Sequence, residues 1–512
     1  MRLADVDSVD GDDDDSDVPE DDDDEFTGLL SNGRGYGIEL NGSHHASLSK
    51  AAEARPALSL LGVASISYFS VSGGPFGLEV AIGTAGPVYV IASILTLVLI
   101  WSVPCALMTA ELSSALPSRG GYIHWVDRGL GERFGTITGL CAVFNQAVDS
   151  STYPAIFCDY LVFTLQRYFG QPTLSALARF ATSAALVLSV CGLNMRGISL
   201  AARASVVLAI FSLAPFAVML LLAPFSNGSA AAAVEVPPAT HLLAADAASG
   251  LFQGGARPDF LLLLSLAMWT TSGFDAVSLV SSEVPKGQRS IPKALGLSLC
   301  MMLTATLLPL LACCSEAVAG PQKWSSWKLG AFALAAERVG GVPLGTWMCL
   351  AAMGSSAGLL NAFMCTSARS VQAMACKGLL PATLRKEMGP ERTPGYALMF
   401  TSTCILCLLS LPFSQLIELD MSLYACSLSM ELMSLLRLRW TEPELRRPYR
   451  VPLGRRALCL MCTPPLLLCA LVVSMSLRNP SMRSSWAVAL GLGTSLYNFG
   501  PRCFRPRDHS VR

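Results

Sequence analysis

Two short stretches of small residues interrupt apolar segments of this sequence, and an acid follows each of them. The first break is Ser72-Gly73-Gly74-Pro75, with Glu79 one turn further along. The second break is Thr270-Thr271-Ser272-Gly273, with Asp275 two residues later. A helix loses backbone hydrogen bonds where Gly-Gly-Pro interrupts it. In an apolar environment the freed N–H and C=O groups must contact protein, a water-filled cavity or a ligand, so both breaks are candidate binding sites.

Two aspartates lie deep in apolar segments, where an ionised carboxylate needs a partner. They are Asp149 and Asp275, and no lysine or arginine lies at a comparable depth, since Arg369 falls near a segment end. We therefore expect the partner to arrive as the ammonium group of a substrate, or as a proton. Two or three acids around one cavity, with Glu79 as the third, indicate a diamine, a polyamine or a basic amino acid.

Neighbouring side chains complete the predicted site. Tyr153, one turn after Asp149, is placed to orient an amine, and Trp269 and Phe274 offer aromatic faces to an ammonium group or an alkyl chain. The predicted substrate-binding residues are Ser72, Gly73, Gly74, Asp149, Tyr153, Trp269, Gly273, Phe274 and Asp275. The residues predicted to serve proton coupling or gating are Glu79, Glu111 and Asp420. No spacing typical of metal ligands is present.

The elements that carry these residues are predicted to be membrane-spanning helices. The 512 residues are 52% hydrophobic and only 14% charged, with a mean hydropathy of +0.50, which is too apolar for a soluble enzyme of this size. The apolar residues form about twelve blocks long enough to cross a bilayer. They run near 56–82, 87–115, 134–166, 173–194, 197–223, 258–283, 292–316, 342–375, 394–410, 412–438, 457–476 and 484–500. An amphipathic segment at 324–338 is expected to lie across the outer vestibule.

The charged residues divide the chain into a membrane domain and two tails. Residues 1–55 contain two aspartate runs and are predicted to be a disordered cytoplasmic tail. Residues 56–500 form the transporter domain, and 501–512 form a basic cytoplasmic tail. With both termini inside, roughly 25 Lys and Arg residues face the cytoplasm against roughly 8 outside, which favours this orientation. The Asn227-Gly228-Ser229 glycosylation sequon then lies outside, and the plasma membrane is the expected location.

The order of short motifs resembles a known superfamily. Val71–Glu79 (VSGGPFGLE), the Glu111 region followed by Gly120-Gly121-Tyr122, Asp149–Pro154 and Arg447–Pro452 occur in that order. This pattern is similar to the amino acid–polyamine–organocation (APC) superfamily, and within it to plant and protozoan polyamine and L-type amino acid transporters. The resemblance covers about residues 56–500. It implies an all-α membrane protein with a LeuT-type 5+5 inverted repeat, in which the first and sixth helices are discontinuous. The positions of the two breaks, five spans apart, independently indicate such a repeat.

The function predicted first is proton-coupled secondary active transport of polyamines such as putrescine and spermidine, by alternating access. Transport of cationic or large neutral amino acids stays open, because a glycine-rich break can also hold an α-carboxylate. A substrate-sensing transceptor is a further alternative. The expected partners are a small cationic substrate and the lipid bilayer, without nucleic acid. An enzyme is not expected, because no nucleophile–base pair or phosphate loop is present. No cofactor is predicted, and coupling to H⁺, or to Na⁺, is expected instead.

Overall fold

The fold is all-helical throughout the part of the chain that the structure describes. The computed structural model describes residues 60–118, 120–170, 173–226, 260–284, 287–314, 327–409, 411, 413–480 and single positions between 483 and 498. These residues contain no β-strand, only one isolated bridge between Met388 and Thr393. The predicted tails, the 227–229 sequon and most of the span predicted at 484–500 lie outside the described residues.

The described helices follow the predicted spans, and most limits agree within a few residues. They are α1 (Leu60–Val71), α2 (Leu78–Ala85), α3 (Pro87–Leu97), α4 (Val103–Ala115), α5 (Tyr122–Leu130), α6 (Glu132–Phe169), α7 (Ala176–Met195), α8 (Ile198–Ser226), α9 (Phe260–Trp269), α10 (Gly287–Cys313), α11 (Ala331–Cys376), α12 (Gly395–Leu408), α13 (Phe413–Thr441) and α14 (Arg455–Arg478). A π turn, Val98–Ser102, joins α3 to α4, and 3-10 turns occupy Phe274–Glu283 and Ala382–Arg385.

Long apolar helices confirm the prediction of a multi-pass membrane protein. Within the described residues, six helices are long and apolar enough to cross a membrane: Pro87–Ala115, Ala176–Met195, Ile198–Leu222, Arg289–Cys313, Ala331–Cys376 and Arg455–Arg478. The first and sixth predicted spans fall outside this set because their helices are broken. The helices α6 and α13 fall outside it because they carry buried polar side chains along their length. The total of about twelve spans stays a prediction.

The helix α11 lies at the centre of the bundle. Most of its side chains are buried, and it packs most extensively on α8 and α6. Small residues permit this close packing: a methyl group added at Gly358 would lie 2.5 Å from the Phe69 ring, and one at Gly354 would lie 3.0 Å from Phe211. Close approach at small residues is how helices associate where the surroundings are as apolar as the side chains.

The sequence predicted a separate amphipathic segment at 324–338 before the eighth span. The first turns of α11 include much of this segment. The range Ala331–Cys376 consists of two helical segments that meet at a kink, because Gly340 and Gly341 have non-helical backbone angles, with φ of 70° at Gly341. Only glycine adopts such a φ at low cost, and Pro343 follows directly. The predicted start of the span at 342 therefore coincides with the start of the second helical segment, directly after the kink.

Both predicted breaks are present in the structure. The first separates α1 from α2, with φ of 102° at Gly74 and 97° at Gly77. The second follows α9, where φ at Gly273 is 102°, and the chain continues as a tighter 3-10 turn. A left-handed glycine directly precedes the segment after each break, Gly77 before α2 and Gly273 before the 3-10 turn, because side-chain-bearing residues seldom adopt this conformation.

Candidate functional site

A cavity lies between the two breaks and the helices α6, α11 and α13. The cavity brings together most of the predicted substrate-binding residues and one predicted gating residue. They are Ser72, Gly73, Gly74, Asp149, Tyr153, Trp269, Gly273, Asp275 and Asp420.

At the first break, local side chains occupy part of the freed backbone. The Ser72 hydroxyl donates to the Gly74 carbonyl at 3.2 Å and accepts from the Gly74 N–H at 3.2 Å. Ser355 on α11 donates to the Gly73 carbonyl at 2.5 Å. The close approach of α11 requires glycine at 73, since an added methyl would lie 2.2 Å from the Ser355 hydroxyl oxygen. The break is therefore fixed against α11 and faces the cavity.

The second break contacts the first directly. A methyl group added at Gly273 would lie 2.0 Å from the Ser70 carbonyl oxygen, so only glycine fits between the two segments. The Gly273 N–H donates to the Tyr424 hydroxyl at 3.2 Å, and that hydroxyl donates to Asp275 Oδ1 at 2.5 Å. A tyrosine of α13 thus links the backbone of the second break to the acid that follows it.

The π turn between α3 and α4 also supports the second break. Trp101 donates its indole N–H to the Ser272 hydroxyl at 2.8 Å, and Ser102 donates to the Thr271 carbonyl at 2.7 Å. A π turn is a local widening that occurs frequently at functional sites. Here it directs two consecutive side chains toward the Ser272 hydroxyl and the Thr271 carbonyl of the second break.

Asp149 is buried on α6 and receives hydrogen bonds only from neutral donors. The Tyr153 hydroxyl and the Trp269 indole N–H each donate to Asp149 Oδ1 at 2.8 Å. The two aromatic rings stack with centroids 6.0 Å apart, and Phe363 packs against Tyr153 at 5.4 Å. Asp149 therefore lies beside an aromatic wall that suits an alkyl chain or an ammonium group.

Asp420 is the third acid that lines the cavity. Asn145 on α6 donates to Asp420 Oδ1 at 2.5 Å and to the Asp420 carbonyl at 3.0 Å. The second carboxylate oxygen, Oδ2, is buried and has no hydrogen-bond partner among the described residues. Its carboxylate is close enough to Asp149 for the two charges to repel each other.

No cation of the described chain neutralises these acids. The ion pairs among the described residues involve none of Asp149, Asp275 and Asp420. Three acids from three elements line one cavity, and among the described residues each is bonded only to neutral groups. Such a site is suited to a cation that enters with its own charge.

Three predicted residues lie outside the cavity lining. Phe274 is fully buried in the hydrophobic core, because the left-handed turn at Gly273 directs Asp275 and not Phe274 toward the cavity. Its predicted contact with substrate does not fit this arrangement. Glu79 is buried in the first turn of α2, where the Gly77 N–H donates to it at 2.7 Å and the Tyr160 hydroxyl donates to its other oxygen.

The third of these residues, Glu111, lies in a closed ion-pair cluster. Arg439 donates to its two oxygens at 2.6 and 2.5 Å, and Arg447 lies 3.1 Å from Oε1. The Val451 N–H donates to Oε2 at 2.9 Å. This cluster joins α4 and the end of α13 to the loop before α14. A gating role for Glu111 stays a prediction.

The sequence reasoning missed several residues that line the cavity. They include Asn145, Gln146, Phe363, Tyr424 and Ser427. A signal was present in α13, where Asp420, Tyr424, Ser427 and Glu431 recur at intervals of four, three and four residues and so share one helix face.

Comparisons with known proteins agree with this arrangement. A family model described as amino acid permease matches residues 58–496. Polyamine transporter RMV1 of Arabidopsis thaliana is 30% identical over 436 residues, which are 85% of this chain and 84% of that protein. Polyamine transporter PUT1 of Oryza sativa subsp. japonica is 32% identical over 442 residues, covering 85% of this chain and 77% of that protein.

A probable polyamine transporter of Arabidopsis thaliana is 32% identical over 448 residues, which are 87% of each chain. The family match and these relatives together span nearly all of the described helices. The resemblance that the motifs indicated is confirmed, and the chain belongs to the amino acid permease family of the APC superfamily.

Proposed function

We propose that this protein is a secondary active transporter of polyamines such as putrescine and spermidine, which works by alternating access. The observation that carries the proposal is the set of three cavity acids, Asp149, Asp275 and Asp420, with neutral donors only. A substrate with two or more ammonium groups supplies the missing positive charge. The names of the relatives above, which are polyamine transporters, support the same substrate class.

Asp149 is proposed to anchor one ammonium group of the substrate. Tyr153 and Trp269 hold the carboxylate in place by donating to one oxygen, which leaves the other for the ligand. The stacked rings of the same two residues offer an apolar surface to the methylene chain. The cavity thereby combines a fixed charge with the few polar contacts and apolar walls that are typical of ligand sites.

The finer architecture is also part of the proposal. We infer about twelve spans in a LeuT-type 5+5 inverted repeat, because broken helices occur at the first and sixth predicted spans. Cytoplasmic termini follow from the distribution of Lys and Arg, and the plasma membrane is the default location for such a carrier. Glycosylation of Asn227 in eukaryotic cells, lost in Asn227→Gln, would support this sidedness. An unglycosylated loop that a membrane-impermeant reagent labels only after permeabilisation would contradict it.

Glu79 is the proposed carrier of a coupling proton. It is fully buried, and its partners Gly77 and Tyr160 are neutral, so its charge is not compensated by a described residue. In Glu79→Gln we expect uptake that no longer depends on an inward proton gradient, measured in proteoliposomes. Unchanged dependence on the gradient would remove Glu79 from this role.

The central experiment is uptake of labelled putrescine into proteoliposomes, with and without an inward proton gradient. We expect saturable, gradient-stimulated uptake that falls at least tenfold in Asp149→Asn. The matched control is Asp159→Asn on the same helix, because Asp159 lies outside the cavity lining and pairs with Arg179 in a partly exposed position. Uptake in this control should resemble that of the wild type.

The alternative substrate class is tested in the same assay by competition. Excess arginine and leucine should leave putrescine uptake nearly unchanged if the cavity is built for amines. Absence of putrescine uptake, together with uptake of arginine or leucine, would identify an amino acid carrier. Substrate binding without flux would instead support the transceptor alternative.

A further inference from the structure

The strongest unexplained feature of the cavity is the wall formed by α13. Asp420, Tyr424 and Ser427 of this helix all line the cavity. Asp420 is only 1% exposed, yet its Oδ2 atom has no hydrogen-bond partner among the described residues. A buried acceptor without a partner is costly, so such atoms in native structures call for a ligand or another explanation. Neither the anchor role of Asp149 nor the coupling role of Glu79 accounts for it.

A second acceptor without a partner lies on the facing helix. The side-chain amide of Gln146 on α6 donates to the Tyr122 hydroxyl at 3.0 Å, which leaves the Gln146 Oε1 atom buried and unbonded within the described part of the chain. Asn145, the preceding residue, contacts Asp420 directly. The α6–α13 face of the cavity therefore presents unbonded acceptors, which match the N–H donors of an ammonium group.

Asp275 is connected to α13 through Tyr424. The Tyr424 hydroxyl donates to Asp275 at 2.5 Å, and Tyr424 is four residues after Asp420 on the same helix. Four residues of α-helix correspond to a rise of about 6 Å, and the two nitrogens of an extended 1,4-diamine are separated by roughly 6 Å. The two α13 residues that serve the two acids, Asp420 itself and Tyr424, are thus separated along the helix by about the length of a 1,4-diamine.

We propose that α13 determines the substrate by helping to form two ammonium sites, one at its own Asp420 and one at Asp275, the partner of its Tyr424. Asp420, with Asp149 across the cavity, takes one ammonium group, and Asp275, held by Tyr424, takes the other. The diamine lies along α13, and Asp420 distinguishes a diamine from a monoamine. This inference rests on the proposed polyamine transport and adds to it a rule for charge number and chain length.

The test measures inhibition of labelled putrescine uptake by unlabelled amines. Wild-type protein should be inhibited at least tenfold more strongly by 1,4-diaminobutane than by butylamine. In Asp420→Asn the diamine should lose at least tenfold in potency while butylamine changes less than threefold. The control is Glu418→Gln, which removes a charge two residues away on α13 from a side chain outside the cavity lining, and it should keep the wild-type ratio.

A second variant tests the length rule without removing the charge. Asp420→Glu extends the carboxylate by one methylene group toward the second site, so the preferred inhibitor should shift from 1,4-diaminobutane to 1,3-diaminopropane. A residue that served only folding or gating would change the rate for every amine and leave this preference in place. Purified protein of each variant is compared by size-exclusion profile, so that loss of folding is recognised.

The outcomes separate this inference from the proposed function. If wild-type protein transports putrescine but Asp420→Asn weakens diamine and monoamine equally, or changes neither, the α13 rule is wrong and polyamine transport stands. If wild-type protein transports no polyamine, the proposed function fails and the rule fails with it.

Discussion

The buried acids of this protein occupy two kinds of surroundings, which Glu111 and Asp149 illustrate. Glu111 accepts from Arg439 and from the Val451 N–H, and Arg447 adds a second guanidinium group. Asp149 accepts only from Tyr153 and Trp269. Both carboxylates are removed from water, but among the described residues only Glu111, of these two, has its counter-charges. An acid with its counter-charges holds the structure together, whereas an acid with neutral donors remains available to a cation that enters the cavity.

The largest effect is expected from breaking the closed cluster. Glu111→Gln leaves two buried guanidinium groups without a carboxylate, and removal of one partner of a buried ion pair costs about 3–5 kcal/mol. We expect a clear loss of thermal stability in detergent and a low yield of folded protein. A variant that unfolds at the wild-type temperature would show that the cluster does not stabilise the fold.

The next effect concerns Asp149, and it separates binding from stability. Saturating putrescine at about 100 times its Kd should stabilise wild-type protein by about 2.7 kcal/mol. Asp149→Asn should lose this stabilisation. Without substrate its stability should stay within about 1 kcal/mol of wild type, because the amide oxygen still accepts from Tyr153 and Trp269. The measurement is the melting temperature with and without putrescine. A large loss of stability without substrate would mean that Asp149, like Glu111, stabilises the fold.

A smaller effect is expected at the tyrosine that connects α13 to the second break. Tyr424→Phe removes the donor to Asp275 and the acceptor for the Gly273 N–H. Loss of two hydrogen bonds in the site, at about 1 kcal/mol each, corresponds to roughly a thirtyfold rise in the KM for putrescine. Tyr396→Phe, an exposed position on α12, serves as the control. Equal KM values for the two variants would contradict a positioning role for Tyr424.

The smallest effect is expected at an ion pair that lies in water. Arg128 and Glu442 are 2.8 Å apart, and both side chains are partly exposed. Exposed pairs contribute about 0–1 kcal/mol, so Glu442→Gln should change stability by no more than about 1 kcal/mol. The same glutamate-to-glutamine change is thus expected to cause a large loss of stability at Glu111 and a small one at Glu442. Equal losses of melting temperature at Glu111 and Glu442 would refute the comparison.

The sequence was sufficient to predict the features that local chemistry encodes. The Gly73-Gly74-Pro75 stretch and Gly273 dictate interrupted helices wherever they lie, because their backbone requirements are local. Asp149 and Asp275 could be recognised as cavity residues because they are isolated acids in apolar segments. These residues do line one cavity, although their contact with substrate stays a prediction.

The features that were not predicted depend on how helices pack. The polar face of α13 could be read from the spacing of Asp420, Tyr424 and Ser427, but only packing determines that this face meets the cavity. The same limit explains why the burial of Phe274 was not predicted. The direction of its side chain depends on the backbone turn at Gly273, which the residue types alone do not specify. The Arg439 and Arg447 partners of Glu111 are more than 300 residues away in the chain, beyond any local pattern.

The π turn between α3 and α4 has a mechanical consequence for alternating access. Trp101 and Ser102 tie it to Ser272 and Thr271 by two hydrogen bonds. A displacement of the second break must either carry this turn along or break both bonds, at a cost of about 1–3 kcal/mol in total. The motion with the lower free-energy cost is one in which the broken sixth span and the middle of the second span move together. We therefore expect the moving body of this carrier to include the predicted second span as well as the sixth.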